Sequence, residues 1–208
     1  MLKSDSLSFS YNNSDILSFP DILLQEGEDL LILGDSGVGK TTLVHIISGL
    51  LRPRSGYVEL NGTNLENLSS KSIDQFRGSN IGMIFQRSHF IKNLNILDNL
   101  LLSLYLSNKK QDRERVVQLL HEIGLDDKMN SSADELSQGE QQRAAIATAL
   151  IKSPNLILAD EPTSSLDNKN CQNIISLLKE QAAASNAKLI IITHDQRLKD
   201  QFNKSIVL

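Results

Sequence analysis

The sequence has a single cysteine, Cys171, so no internal disulfide can staple it. Its first residues, MLKSDSLSFS, hold no apolar core of signal-peptide length. Both absences make the cytosol the expected compartment. An excess of basic charge is missing too: 21 Lys and Arg stand against 25 Asp and Glu, a formal net charge of −4. Without a global positive field there is little to hold nucleic acid by counterion release, and direct nucleic-acid binding is not expected. The most lipid-like stretch, Leu94 to Leu106, is shorter than a bilayer span and interrupted by Asp98 and Asn99, so no transmembrane segment is expected. Low-complexity tracts and repeats at solenoid periods are absent, and there are only four prolines. What is present, at 208 residues, suffices for one well-buried domain or for a core with an inserted subdomain.

Two kinds of apolar pattern run along the chain. Leu2 to Ser10 and Tyr57 to Leu60 alternate apolar with polar residues, as half-exposed antiparallel strands do. Leu30 to Leu33, Leu156 to Ala159 and Leu189 to Ile192 are short continuous runs, the signature of strands covered on both faces. These predict a parallel α/β sheet with an antiparallel edge. Each continuous run ends in polar chemistry, at Gly34, at Asp160 and at Thr193-His194, and ligands of such sheets sit at the carboxyl ends of the strands. Between Gln86 and Ser153 the period becomes helical, with Leu97, Leu100, Leu101 and Leu104 on one face, then Val116, Leu119, Leu120 and Ile123 up to Gly124. The expected division is a core of about 1–86 and 152–208 with a helical subdomain of about 87–151. A short apolar run, Ser205 to Leu208, ends the sequence, and no appended regulatory domain is expected after it.

Gly34 to Thr42 reads GDSGVGKTT, a full match to the phosphate-loop pattern G-x-x-x-x-G-K-S/T, directly after the strand Asp29 to Leu33. Gly34, Gly37 and Gly39 free the backbone to turn successive N–H groups toward phosphates, and the helix that follows adds its positive end. Lys40 neutralises phosphate charge and Thr41 offers a hydroxyl to Mg²⁺. Asp160 and Glu161 end a buried strand ahead of Pro162. Beside a phosphate loop, Asp160 suits a Mg²⁺ site and Glu161 the polarisation of an attacking water; a loop start or helix cap is the plainer reading. Much later comes LSQGEQQR, Leu136 to Arg143, in which Ser137 and Glu140 have capping-box spacing. Ser137 either simply caps the helix Gly139 to Ile151, or, with Gly139, leaves free amides at a helix start that has no anion in its own loop.

The ordered set GDSGVGKTT, Gln86 in IGMIFQ, LSQGEQQR, LILADEP, SSLD ending at Asp167, and Thr193-His194-Asp195 resembles the ATP-binding cassette (ABC) ATPases over nearly the whole chain. The resemblance implies a RecA-like P-loop NTPase core with an inserted α-helical subdomain, ATP and Mg²⁺ as ligands, and a head-to-tail homodimer enclosing two ATPs. Gly34, Asp35, Ser36, Gly37, Val38, Gly39, Lys40, Thr41 and Thr42 would hold the phosphates of one ATP. Ser137, Gln138, Gly139, Glu140 and Asp167 would reach it from the opposite subunit. Gln86 would touch Mg²⁺ and the attacking water and sense the transporter, with Thr41 and Asp160 as the other metal contacts. Glu161, His194, Gln86 and Lys40 would form the catalytic group, His194 through the γ-phosphate. Tyr11 would stack on adenine, although an aromatic at a strand end is more often packing. Asp167 is equally well placed to cap the helix after it. His45, His89, His121 and Cys171 lack partners at ligand spacing and read as structural.

Two positions depart from the family's LSGGQ: Gln138 stands for a Gly and Glu140 for the Gln. A carboxylate near a γ-phosphate costs electrostatic energy unless it points away or is paired. The motifs look most like the subgroup of lipoprotein-releasing, macrolide-exporting and cell-division cassettes. That implies an ATPase subunit on the cytoplasmic face of the inner membrane, attached through separate integral-membrane permease subunits. The alternatives are an ABC ATPase acting on nucleic acid or the ribosome, disfavoured by one cassette, one Cys and negative charge, and a P-loop kinase or GTPase, which leaves Ser137 without a role.

Overall fold

The computed structural model describes residues 1–12, 15–164 and 166–208. Two five-stranded sheets organise them. The first contains β1 (Leu2–Phe9), β2 (Leu17–Ser18), β3 (Ile22–Leu24), β5 (Ser55–Leu60) and β6 (Thr63–Asn64). The second has the order β10 (Ser205–Val207), β4 (Asp29–Leu33), β9 (Lys188–Thr193), β8 (Leu156–Asp160) and β7 (Ile81–Ile84). Every pairing in the second sheet is parallel. The antiparallel strands foreseen from the alternating pattern thus form a sheet of their own, not hydrogen-bonded to the parallel one.

The continuous apolar runs are explained by period two in a sheet covered twice. Leu31, Leu33, Ile157, Ala159, Leu189 and Ile191 face one core, while Leu30, Ile32, Leu156, Leu158, Ile190 and Ile192 face the other. Successive side chains point to opposite faces, so both faces must be apolar. On the second face lie α1 (Lys40–Ile47) and the antiparallel sheet, through Leu43, Ile46, Leu2, Leu7, Val58 and Leu60. On the first lie α3 (Ile96–Leu106), α4 (Arg113–Glu122), α5 (Gln138–Leu150) and α6 (Asn168–Ala184). Each fully buried Leu or Ile contributes roughly 1.5–3 kcal/mol.

In β1 the inward set changes from Leu2 and Ser4 to Leu7, because Ser6 takes a left-handed backbone (φ 51°) and the register with β5 shifts between Asp5 and Ser8. Gly56 lies against that bulge; a Cβ there would stand 2.3 Å from the Asp5 carbonyl oxygen.

The helical stretch follows its sequence pattern. Leu97, Leu100 and Leu104 of α3 join Val116, Leu119 and Leu120 of α4 in the first core, with Ile123 just after α4. The divisions foreseen at 86/87 and 151/152 fall between β7 and α3 and between α5 and β8. One helix had no sequence signal: α2 (Ser70–Asn80) buries only Ile73 and is started by the Ser69 side chain, which accepts from the Ser72 amide. No helix of the described residues is long and apolar enough to cross a membrane.

Candidate active site

Three parallel strands deliver the site. β4 runs into the loop at Gly34, β8 ends at Asp160, and β9 ends at Thr193, adjacent ends of one sheet. Where they open, a cleft of about 460 Å³ is lined by Asp35, Ser36, Gly37, Gly39, Lys40, Thr41, Thr42, Gln86, Asp160, Glu161 and His194. Every one of these was singled out from the sequence.

The loop is built to receive an anion. Gly39 precedes α1 in the left-handed region (φ 102°), so no side chain caps the helix, and its first turn carries no acid. The amides at that helix start are left for a ligand, and the helix dipole adds positive potential there. Lys40 is 7% exposed, and its Nζ donates to the carbonyl oxygens of Gly34 and Asp35, at 2.8 Å each. Its charge is thereby held inside the loop, 3.9 Å from Glu161 Oε1.

Asp160 is the site's unsatisfied group. Its Oδ2 accepts from the Thr41 hydroxyl at 2.9 Å, while Oδ1 is buried without a hydrogen-bond partner among the described residues. Burial pushes its carboxyl above the ordinary range, with the neighbouring Glu161 charge adding and the Thr41 hydrogen bond opposing. An orphaned carboxylate oxygen beside a hydroxyl at the rim of a phosphate cleft fits a Mg²⁺ ion, which takes one or two carboxylates and fills its remaining positions with phosphate and water.

Glu161 begins with a left-handed backbone (φ 51°), its N–H donating to the Ile192 carbonyl at 2.8 Å. Such strain in a non-glycine residue persists only when the surroundings impose it. Here they fix the carboxylate: Oε2 accepts from the Thr193 hydroxyl at 2.9 Å, and Oε1 faces the His194 amide at 3.1 Å and His194 Nδ1 at 2.8 Å. Glu161 and His194 are therefore a hydrogen-bonded pair. Thr193, which the sequence marked only as the end of a strand, orients Glu161 and also receives the Asp195 amide at 3.0 Å. Ser164, also overlooked, receives Gln86 Nε2 at 3.4 Å.

Other expected residues lie outside the cleft. Gly34 and Val38 belong to the loop without lining it. Tyr11 stands beside α1, its hydroxyl 2.9 Å from Thr42 Oγ1 and its ring edge-on to Phe9, yet 65% exposed. Asp167 caps α6, accepting from the Asn170 amide at 2.9 Å, and Ser165 of the same SSLD run lies outside the described residues. Ser137 and Gly139 line no part of the cleft. Gln138 instead faces a second cavity of about 310 Å³, behind Gln86 and Glu161 of its own chain. Ser137 starts α5 with a complete capping box, and Glu140 Oε2 accepts from both its amide (2.7 Å) and its hydroxyl (2.6 Å). Glu140 is thus paired with Ser137 itself, which holds its carboxyl below the usual range.

Known proteins carry the same architecture. A family model described as "ABC transporter" matches residues 20–164. A protein of Legionella pneumophila (strain Lens) named lipoprotein-releasing system ATP-binding protein LolD is 34% identical over all of this chain and 94% of its own length. One of the same name from Syntrophus aciditrophicus is 39% identical over 95% of this chain and 89% of its own. Among solved structures, a dimeric post-hydrolysis state of the ATP-binding cassette MJ0796 bound to ADP and Pi superposes with a TM-score of 0.89 at 31% identity, covering 100% of this chain and 94% of that one. The structure of cbiO1 from Clostridium perfringens, part of the transporter complex cbiONQ, gives 0.87 at 28% identity over 99% and 83%. Matched by that family model over residues 20–164 and 34% identical along its whole length to a curated relative, the chain belongs to the ABC transporter family.

Proposed function

We propose that this chain is the ATP-hydrolysing subunit of a transporter of the lipoprotein-releasing type, working on separate membrane permease subunits at the cytoplasmic face. The observation that carries the reading is the contrast between two helix starts. The N-terminus of α1 is uncapped and lies in the cleft with Lys40, Asp160 and Glu161, whereas Ser137 at the start of α5 lines no part of that cleft. A second copy, head to tail, brings Ser137 and Gly139 to the ATP held by the first copy's loop. The names of the LolD relatives support the lipoprotein-releasing assignment. In this reading residues 87–151 are the helical subdomain that meets the permease, and Gln86 stands at its joint with the core.

The chain's groups divide the work. Loop amides and Lys40 bind and orient the β- and γ-phosphates, with Lys40 leaving the Gly34 and Asp35 carbonyls for them. Glu161 holds the attacking water and accepts its proton, kept in place by Thr193, while His194 moves from Glu161 to the γ-phosphate. Thr41, Asp160 and Gln86 would hold Mg²⁺, which supplies charge neutralisation at the phosphates when bound. Tyr11 presents an open ring to adenine.

Glu161→Gln keeps the shape of the site and removes the proton acceptor. It should bind ATP, lose hydrolysis by more than about a hundredfold, and elute as a dimer in ATP during size-exclusion chromatography. Elution as monomer at saturating ATP would overturn the shared-site reading.

A further inference from the structure

Glu140 is bonded to Ser137, the residue that, on the shared-site reading above, must meet the partner's γ-phosphate. Its Oε2 takes the Ser137 hydroxyl at 2.6 Å and the Ser137 amide at 2.7 Å, so one oxygen engages both donors that residue can offer. Nor is its charge cancelled: among the described residues no Lys, Arg or His nitrogen stands within ion-pair distance of it, although Lys128 and Arg143 contribute weakly through space. The start of α1, by contrast, has neither a capping side chain nor an acid in its first turn. One helix start of the proposed junction is thus open to an anion, and the other already holds one.

We infer that Glu140 is a positioning residue that gates closure of the ATP-bound dimer: its carboxylate holds the Ser137 donors until a γ-phosphate on the partner displaces it. Two anions cannot share one hydroxyl donor, and like charges at such separation repel even at the high effective dielectric of a protein surface. Closure therefore requires the Glu140 side chain to swing off Ser137 and toward solvent. The gate raises the ATP concentration needed to close the dimer and makes reopening after loss of the γ-phosphate favourable, because Glu140 can then return to Ser137.

The test compares the dimer dissociation constant of the E161Q protein with that of E161Q/E140Q, by analytical ultracentrifugation at saturating ATP. Gln retains capping-box chemistry at this position, and thermal melting of both proteins checks that α5 is intact. Removing the charge should tighten the ATP dimer by about tenfold, with the gap narrowing as ionic strength rises. Equal or weaker dimerisation of E161Q/E140Q would overturn the gate while leaving the shared site standing. If neither protein dimerises in ATP, the shared-site reading fails first, and the gate with it.

Discussion

Asp160 is a place where stability and function oppose each other, and Asp160→Asn separates the two. The residue is 7% exposed, with Oδ2 held by the Thr41 hydroxyl and Oδ1 buried without a partner among the described residues. An unsatisfied buried polar group costs about 1–3 kcal/mol, and more when ionised. Asn keeps the shape and the bond from Thr41 but leaves a neutral amide in the orphan position, so only the excess cost of charge is recovered, about 1 kcal/mol. For a chain of this size that raises Tm by roughly 2–4 °C in the absence of nucleotide. Because burial raises the folded-state pKa of Asp160, the cost is present wherever the carboxylate is ionised in the folded protein. The advantage of the variant should therefore be full at neutral pH and shrink as pH falls through the raised pKa toward the ordinary carboxylate range. Adding Mg²⁺ and ATP reverses the order. A ligand at a hundred times its dissociation constant stabilises the wild type by about 2.7 kcal/mol, whereas the variant, lacking the carboxylate, gains much less. Differential scanning calorimetry with and without Mg-ATP, together with a phosphate-release assay, reads both effects. A variant that is less stable than wild type without nucleotide, or equally stabilised by Mg-ATP, would refute the reasoning.

Other perturbations isolate single contacts. Ser137→Ala should leave ATP binding to the monomer within about twofold of wild type, by equilibrium binding of a fluorescent ATP analogue, while ATPase activity falls by at least about tenfold; equal losses of both would put Ser137 in its own chain's site. Thr193→Val removes a hydroxyl bonded to a carboxylate, a contact of about 1.5–3 kcal/mol. It should lower kcat by about tenfold or more with KM for ATP little changed, and a matching rise in KM would assign Thr193 to binding instead of to the orientation of Glu161.

The parts of the fold most legible in the sequence were those where one residue type repeats for one physical reason. Leu30 to Leu33 and Leu189 to Ile192 read as doubly covered strands because both faces of the parallel sheet are buried, and the structure divides their odd and even residues between two cores. The separateness of the second sheet could not be read that way. Alternation in β1 and β5 reports which face is buried and carries no information on which strand lies alongside. Helix α2 was silent for a related reason: its residues are mostly polar, with Ile73 the one that is buried, and its start depends on a Ser69 cap that resembles any serine-rich loop.

At the site, the residues lining the cleft were legible and their connectivity was not. A phosphate loop, an acid pair and a histidine after buried strands can be named from their order, since strand ends converge in a parallel sheet. That Glu161 and His194 would bind each other depends on the left-handed turn at Glu161, which no pattern of side chains announces in a non-glycine residue. The signature segment carries this furthest. Its spacing predicts a capping box and its family resemblance implies a contact with a second molecule, two different uses of Ser137. On the proposed gate the two are sequential uses of one residue: Glu140 holds the Ser137 amide and hydroxyl in the lone chain, and a phosphate on the partner would take the hydroxyl by displacing it. Gln138, between them, faces the cavity behind its own Gln86 and Glu161. In the proposed dimer, adjacent residues of one helix start therefore face two different sites: Ser137 the partner's ATP, and Gln138 the cavity it lines with Gln86 and Glu161 of its own chain.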